Sequence, residues 1–208
     1  MVLVQFIANG WSSTIEQNQS RAEQLLFEAL AQDPNNSMAH YAMGQLRRLE
    51  DRLAEALTEF EAAVALDHNN AWALQLVGGM LRWLGRPQEG IPYMEKAIRL
   101  NPHDPNIAAF YWVLAHSHLL LGHVDQSIDL FRKAIAANRE LWFLHLNFAG
   151  ALGLRGDLDE ARAELSESLR LYPDINSLAR LRQPTNPDYL ALAEKTLYLG
   201  LRRAGFPE

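Results

Sequence analysis

Apolar residues recur every three or four positions along most of the chain, as they do on one face of an amphipathic α-helix. Leu57, Phe60 and Val64 show this spacing, and similar runs follow in later parts of the sequence. Several runs end at a turn residue, then a few polar residues, and a small residue opens the next run. This pattern predicts pairs of helices that are joined by tight turns.

The helix–turn–helix pattern repeats with a period of 34 residues, which is the spacing between Gly10, Gly44 and Gly78. The register slips by three residues at Pro105–Ile107 and then resumes. No single pair of helices can bury its own apolar face, so such units must stack. The pattern divides the chain into five units, at residues 3–36, 37–70, 71–104, 108–141 and 142–175.

A period of this length, with small residues at fixed positions, resembles the tetratricopeptide repeat family. The resemblance covers residues 3–175. It implies an all-α fold, a right-handed superhelical α-solenoid of about five helix pairs. One departure is the aromatic residue that the family often carries near the start of each first helix, because His40, Leu74 and His145 occupy that position here.

The turns between paired helices can be predicted from backbone stereochemistry. Gly85, Gly122 and Gly156 end the first helix of their units. Such a position usually needs a positive φ, which glycine adopts without a Cβ clash. Asp51 occupies the position in the second unit, and aspartate tolerates the left-handed region better than most residues. The other repeated small residues mark points where paired helices approach closely.

The repeat pattern stops after Pro173, and residues 176–208 form a separate C-terminal tail. Asn186 and Pro187 suit a helix cap and a first helical residue, so we expect one helix from there to Gly205. The main interpretation is a set of capping helices that hide the last apolar face of the solenoid. The alternative is a regulatory plug that docks into the concave groove of its own chain or of a second copy.

The last third of the chain also resembles the C-terminus of a group of bacterial multidomain signalling proteins. The similar segments are GALGLRGDLDEARAELSESLRLYPDINSLARLR and the ending GLRRAGFPE. In such proteins a class III adenylate or guanylate cyclase domain, or a winged-helix DNA-binding domain, precedes a tetratricopeptide region. Nothing in this chain matches those catalytic or DNA-binding domains. The resemblance implies the sensory or scaffolding end of such a protein, or a stand-alone relative.

Composition excludes several classes of function. The net charge is −6 and lysine is scarce, whereas phosphate affinity depends on clustered cations. The chain has no cysteine, so disulfides and thiolate metal sites are absent. No stretch reaches the ~18 apolar residues of a membrane-spanning helix, and the N-terminus lacks a basic signal region. We expect a cytoplasmic protein that binds neither nucleic acid nor membrane.

Neither a metal site nor a catalytic centre is predicted. His116, His118 and His123 are close in sequence, but metal-binding pairs on a helix need a spacing of about four. They are interpreted as groove or surface histidines and a loop histidine. No nucleophile elbow, P-loop or dinucleotide motif occurs. The chain is therefore expected to be non-enzymatic and to need no cofactor.

The tetratricopeptide resemblance also implies a binding groove, because the first helices of that fold line a concave surface. Aromatic and arginine side chains, which dominate binding hot spots, fill many of the positions that face it. We expect the aromatics to anchor a partner, and Arg48 and Arg82 to bind an acidic group. The alternative is that Trp83 and Trp112 belong to the core between repeats. The candidate groove residues are Tyr41, Gln45, Arg48, Trp72, Gln75, Arg82, Trp83, Trp112 and His116.

The predicted function is a protein–protein interaction or scaffold module in bacterial signalling. It acts by binding a peptide or protein in the groove or by self-association, and the tail helix is one route to a homodimer. The alternative is a ligand-sensing regulatory module of a larger adenylate cyclase or transcriptional regulator, in which the groove holds a small molecule. A pocket closed by the tail would favour that alternative.

Overall fold

The computed structural model describes residues 15–181 and 186–208, and every regular element in these two ranges is a helix, as predicted. Most of the first helix of the predicted first unit, with Gly10, lies outside the described residues. The helices are α1 (Ile15–Gln32), α2 (Ser37–Leu49), α3 (Leu53–Leu66), α4 (Ala71–Trp83), α5 (Pro87–Leu100), α6 (Ile107–Leu120), α7 (Val124–Ala137), α8 (Trp142–Arg155), α9 (Leu158–Leu171), α10 (Leu178–Leu181), α11 (Pro187–Lys195) and α12 (Leu197–Arg203).

Consecutive helices from α1 to α9 form a stack. Helix α2 packs on α3, α4 on α5, α6 on α7 and α8 on α9, and each pair also contacts the next pair. Helix α6 also contacts α4 and α8, the first helices of the neighbouring units, and we call the side that these three helices form the inner wall of the stack. Because each helix contacts mainly its neighbours in sequence, the array is a helical solenoid.

The turns between paired helices contain the predicted left-handed residue. The angle φ is 59° at Asp51, 74° at Gly85, 77° at Gly122 and 104° at Gly156. In each turn the next amide donates to the carbonyl of the residue five positions earlier, at 2.8 to 3.0 Å. This bond is the long-range closure of the Schellman motif, and it satisfies a carbonyl at the end of the first helix.

A pair of glycines allows the closest approach between α4 and α5. A Cβ atom on Gly78 would lie 2.7 Å from the Met94 side chain and 3.1 Å from the carbonyl oxygen of Gly90. A Cβ atom on Gly90 would lie 2.8 Å from the carbonyl oxygen of Gly78. Neither position has room for a side chain, so the predicted role of the repeated small residues is confirmed at this pair.

His40 and His145 occupy the position at which the family often has an aromatic residue. Both histidines form hydrogen bonds through their two ring nitrogens. Nδ1 of His145 donates to the Glu164 carboxylate at 2.6 Å, and Nε2 donates to the carbonyl of Arg139 at 2.9 Å. His40 makes the equivalent pair of bonds in the second unit. Each imidazole therefore ties a first helix both to its partner helix and to the end of the preceding unit.

The His145 bonds make stability depend on pH. The hydrogen bond to Glu164 raises the pKa of His145 above its ordinary value of 6.5, and the bond to the Arg139 carbonyl adds to the rise while burial opposes it. A raised folded-state pKa contributes stability that is complete below the unfolded pKa and is lost as pH rises through the folded-state value. We expect His145→Gln to lower the free energy of unfolding by roughly 2 kcal/mol near pH 6 and by clearly less near pH 9.

Urea unfolding at the two pH values measures this difference. The matched control is His68→Gln, because His68 is exposed in the turn between two units. Its effect should be small at both pH values, because the side chain is exposed to solvent. An effect of His145→Gln that does not change with pH would show that the imidazole acts only by packing.

Candidate partner-binding groove

The C-terminal helices lie in the concave face of the stack. Helix α12 packs along α8, and the backbone of Gly200 touches the backbone of Gly150. The tail is helical, as predicted, but its main contacts are with the inner helices α6 and α8 rather than with α9, the last helix of the array. The role of the tail, as a set of capping helices or as a plug in the groove, stays a prediction.

The tail is broken into two helices, whereas one continuous helix was expected. The break falls at Thr196, where φ is −126° and ψ is −89°. This change of direction leaves α12 along α8 while α11 reaches α6 and places Tyr189 against Trp83 at the end of α4. The local sequence carries no glycine or proline at this point, so only the tertiary contacts explain the break.

Four of the predicted groove residues come together beneath Tyr189. The guanidinium carbon of Arg82 lies 4.3 Å from the ring centroid of Trp83 and 4.8 Å from that of Trp112. Its Nη1 donates to Nδ1 of His116 at 3.1 Å. The Tyr189 ring lies 4.7 Å from the Trp83 ring, between centroids, and its hydroxyl is 3.5 Å from Nε2 of His116. We call these five residues the central cluster.

Burial changes the predicted role of two members of the central cluster. Arg82 and His116 are only 1% and 2% exposed, so neither faces an open groove as expected. Tyr189 lies against His116. Burial lowers the pKa of Arg82 to about 10, so the guanidinium stays charged at neutral pH. Burial, and then the nearby Arg82, hold the pKa of His116 well below its usual 6.5. His116 is therefore neutral, and its Nδ1 is free to accept the bond from Arg82.

Three other predicted residues form a row along α2. Nε2 of Gln45 donates to the hydroxyl of Tyr41 at 3.3 Å, and Nε of Arg48 donates to Oε1 of Gln45 at 3.1 Å. All three side chains are half-buried. No carboxylate of the described residues forms an ion pair with Arg48. The row therefore presents an oriented guanidinium whose charge is not neutralised by the array.

The two remaining predicted residues lie apart from the central cluster, at the start of α4. Trp72 is 38% exposed, and its ring packs edge-on against Phe110 with centroids 5.4 Å apart. Gln75 is half-buried about one turn further along the same helix. Neither residue lines the cavities beside the tail.

The tail lines two cavities, and Tyr189 belongs to the wall of both. The larger cavity, of about 770 Å³, has Arg48 and Asp51 on its wall, and the smaller one, of about 420 Å³, extends between the tail and α6 and α8. Both share the wall residues Trp83, Leu181, Tyr189 and Tyr198. The smaller cavity has a largely aromatic wall, which also includes Trp112, His116, Trp142, Phe143, Leu146, Asn147 and Tyr172.

Sequence reasoning did not place the tail residues Tyr189 and Tyr198 in the site, although both are buried and line it. The sequence contains part of the information that locates these residues. An apolar face of the tail is marked by residues that recur every four positions, namely Tyr189, Ala193, Leu197 and Leu201. All four are buried. The spacing identifies a face that must pack, but it does not identify the surface against which it packs.

Two negative findings limit the possible chemistry of the described residues. They contain no group of three or more His, Cys, Asp or Glu side chains that could hold a metal ion. His118 and His123 contact each other, with Nδ1 atoms 3.2 Å apart, while His116 is directed toward Arg82. Within the same residues, none of the helices combines the length and the apolar character needed to cross a bilayer.

Comparison with known families agrees with the stacked helix pairs. Sequence models of the tetratricopeptide repeat match residues 18–71 and residues 69–140. The chain therefore belongs to the tetratricopeptide repeat family, as its 34-residue period indicates. No curated protein matches the sequence of the chain.

Solved structures of the same architecture cover most of the chain. PilW, described as a widely conserved type IV pilus biogenesis factor, aligns with a TM-score of 0.71 at 18% identity, over 98% of this chain and 85% of its own. Pseudomonas aeruginosa pilF aligns with a TM-score of 0.66 at 22% identity, over 97% and 94%. YrrB, described as having an unusual peptide-binding site, aligns with a TM-score of 0.64 at 21% identity, over 83% and 86%. At these identities the likeness shows the fold alone.

Proposed function

We propose that the chain is a non-enzymatic interaction module that binds a peptide or protein partner through its concave groove. The observation that carries the proposal is the cavity of about 770 Å³ beside the tail, with Arg48 on its wall. The described residues supply no carboxylate to this guanidinium, and Gln45 holds it in a fixed orientation. A partner can therefore complete the site with an acidic group.

The rest of the cavity wall suits a polypeptide. Trp83 and Tyr198 offer broad rings, Leu53 and Met80 offer apolar surface, and Asp51 is available to peptide amides. Aromatic anchors with an adjacent arginine are common at binding hot spots. YrrB, which has a similar fold, is described as having a peptide-binding site, and this supports a peptide as the partner here.

Selection of peptides from a random library by the whole chain tests the proposal. We expect a selected peptide to bind Arg48→Gln about tenfold or more weakly, since a charge-assisted bond is lost. Fluorescence anisotropy of the labelled peptide measures the affinity. Arg162→Gln is the matched control, because Arg162 is exposed on α9 and, among the described residues, forms an ion pair only with Asp159 in its own helix. Equal affinities of both variants and the wild type would place the binding surface elsewhere.

A ligand-sensing module is the second candidate, and the cavity of about 420 Å³ beneath the tail favours it. This volume lies within the usual range of small-molecule sites. A thermal-shift screen of small aromatic metabolites tests this candidate. A true ligand should raise the melting temperature of the wild type, and it should have no effect on Ile175→Trp, in which a larger side chain fills the cavity from its edge.

The cellular setting follows from the second sequence resemblance and stays a prediction, as do the cytoplasmic location and the homodimer through the tail. An immunoblot of the native protein from its source cell tests the setting. A band near 23.5 kDa indicates a stand-alone adaptor. A much larger band indicates the regulatory end of a protein that contains an output domain such as a cyclase.

A further inference from the structure

The central cluster contains a buried cation that none of the described residues neutralises. Arg82 is 1% exposed, and its nearest polar partner is the neutral His116. Its Nε has no hydrogen-bond partner, and none of the carboxylates in residues 15–181 and 186–208 forms an ion pair with it. A buried charge is strongly unfavourable unless it is paired, and stacking on two tryptophans offsets only part of that cost.

The tail packs against the residues that surround Arg82. Tyr189 of α11 lies over Trp83 and beside His116, and it brings a neutral phenol to the guanidinium. Burial raises the pKa of the Tyr189 hydroxyl well above its usual value, so it supplies no negative charge near neutral pH. Docking of α11 thus removes water from a cation without supplying an anion.

The two tail helices are attached to the array in different ways. Helix α12 lies backbone to backbone on α8 through Gly200, and Leu197 and Leu201 are buried there. Helix α11 carries Tyr189 and is separated from α12 by the break at Thr196. Release of α11 would therefore not require release of α12, and it would remove Tyr189 from the side of His116 and from the wall that both cavities share.

We propose that α11 is a displaceable internal occupant of the groove, and that the partner which displaces it is an acidic peptide with an aromatic residue. This inference rests on the proposed function and adds the chemistry of the partner and its regulation. A carboxylate of the peptide pairs with Arg82, which a phenol cannot do, and the aromatic side chain takes the place of Tyr189 between Trp83 and His116. Arg48, on the adjacent wall, provides a second cation for the same strand of peptide.

The test uses two fluorescein-labelled peptides with a central tryptophan. One has Glu and Asp at the flanking positions, and the other has Gln and Asn in their place. We expect the full chain to bind the acidic peptide at least about tenfold more tightly. On binding, amide hydrogen exchange should become faster in residues 187–195 of α11 and stay slow in residues 197–203 of α12.

Two variants separate displacement from simple surface binding. Tyr189→Ala weakens the internal occupant, so the acidic peptide should bind about tenfold more tightly, because a larger fraction of the groove is open. Arg82→Met removes the buried charge and keeps the apolar length. It should reduce the preference for the acidic peptide to the part that Arg48 provides, while the melting temperature stays equal or rises. Arg162→Met is the control and should change neither.

Several results would overturn the inference. Equal binding of the two peptides, binding without faster exchange in α11, or no effect of Tyr189→Ala would each show that the tail is a fixed part of the wall. A dimer formed by exchange of tails between copies would show that the occupant is a second chain. If instead no peptide binds, even from the random library, the proposed function itself fails. If Arg82→Met does not fold, the peptide pair and Tyr189→Ala still decide the question.

Discussion

A single methyl group on Gly200 is expected to release the C-terminal helices from the groove. A Cβ atom at this position would overlap the carbonyl of Gly150 and lie 2.9 Å from the backbone nitrogen of Leu154. Both neighbours are helix backbone and cannot rotate away. We expect Gly200→Ala to lower the free energy of unfolding by about 3–5 kcal/mol, because Leu197 and Leu201 lose their burial. The better helix propensity of alanine offsets only about 1 kcal/mol of this loss of stability.

Urea unfolding and amide hydrogen exchange of residues 187–203 measure this effect. Gly79→Ala is the matched control, since Gly79 is also within a helix but a Cβ there would meet no atom within 4 Å. That variant should be as stable as the wild type or more stable, by up to about 1 kcal/mol. If Gly200→Ala were equally well tolerated, the tail could not lie on α8 as the structure has it.

Truncation of Phe60 is expected to destabilise the repeat array strongly. Phe60 is 0% exposed, and its ring fills the space that Gly44 leaves open, where a Cβ would lie 2.6 Å from it. We expect Phe60→Ala to lower the free energy of unfolding by about 3–5 kcal/mol, the usual cost of removing a buried phenylalanine. Amide hydrogen exchange should speed up most in α2 to α4, because each unit of a solenoid is stabilised mainly by contacts with its neighbouring units.

Urea unfolding gives the size of the effect, and hydrogen exchange by segment gives its location. Phe27→Ala is the control, because Phe27 is 55% exposed on α1. Its effect should stay within about 1 kcal/mol. Equal destabilisation by the two variants, or loosening centred on α8 and α12, would contradict the assignment of Phe60 to the local core.

The repeat array could be predicted from the sequence because each of its signals is local. Asp51 illustrates this, since a single residue type at a turn position predicts the positive φ that the structure has. Gly78 and Gly90 illustrate it as well, because only a close helix contact explains two small residues at these positions. The same local pattern recurs in every unit, so an error in one unit does not disturb the others.

The candidate site could be predicted only in part, because it depends on where the tail docks. The apolar spacing of Tyr189 and Leu197 predicts a face that must be buried, but an end cap and a groove occupant need the same pattern. The fit of Gly200 against Gly150 places α12 on α8, and these residues are 50 positions apart with no shared period. Arg82 therefore looks like an exposed groove cation in sequence and is a buried one in the structure.

The contact between Tyr189 and Trp83 provides the most direct test of the proposed site, because the central cluster and its displacement by a peptide both require it. Their ring centroids are 4.7 Å apart, so a nuclear Overhauser spectrum of the full chain should show cross-peaks between the two rings. We predict these cross-peaks in the free protein and their loss when the acidic peptide is added. Their absence from the free, monomeric protein would show that α11 does not occupy the groove, and it would contradict both the site and its regulation.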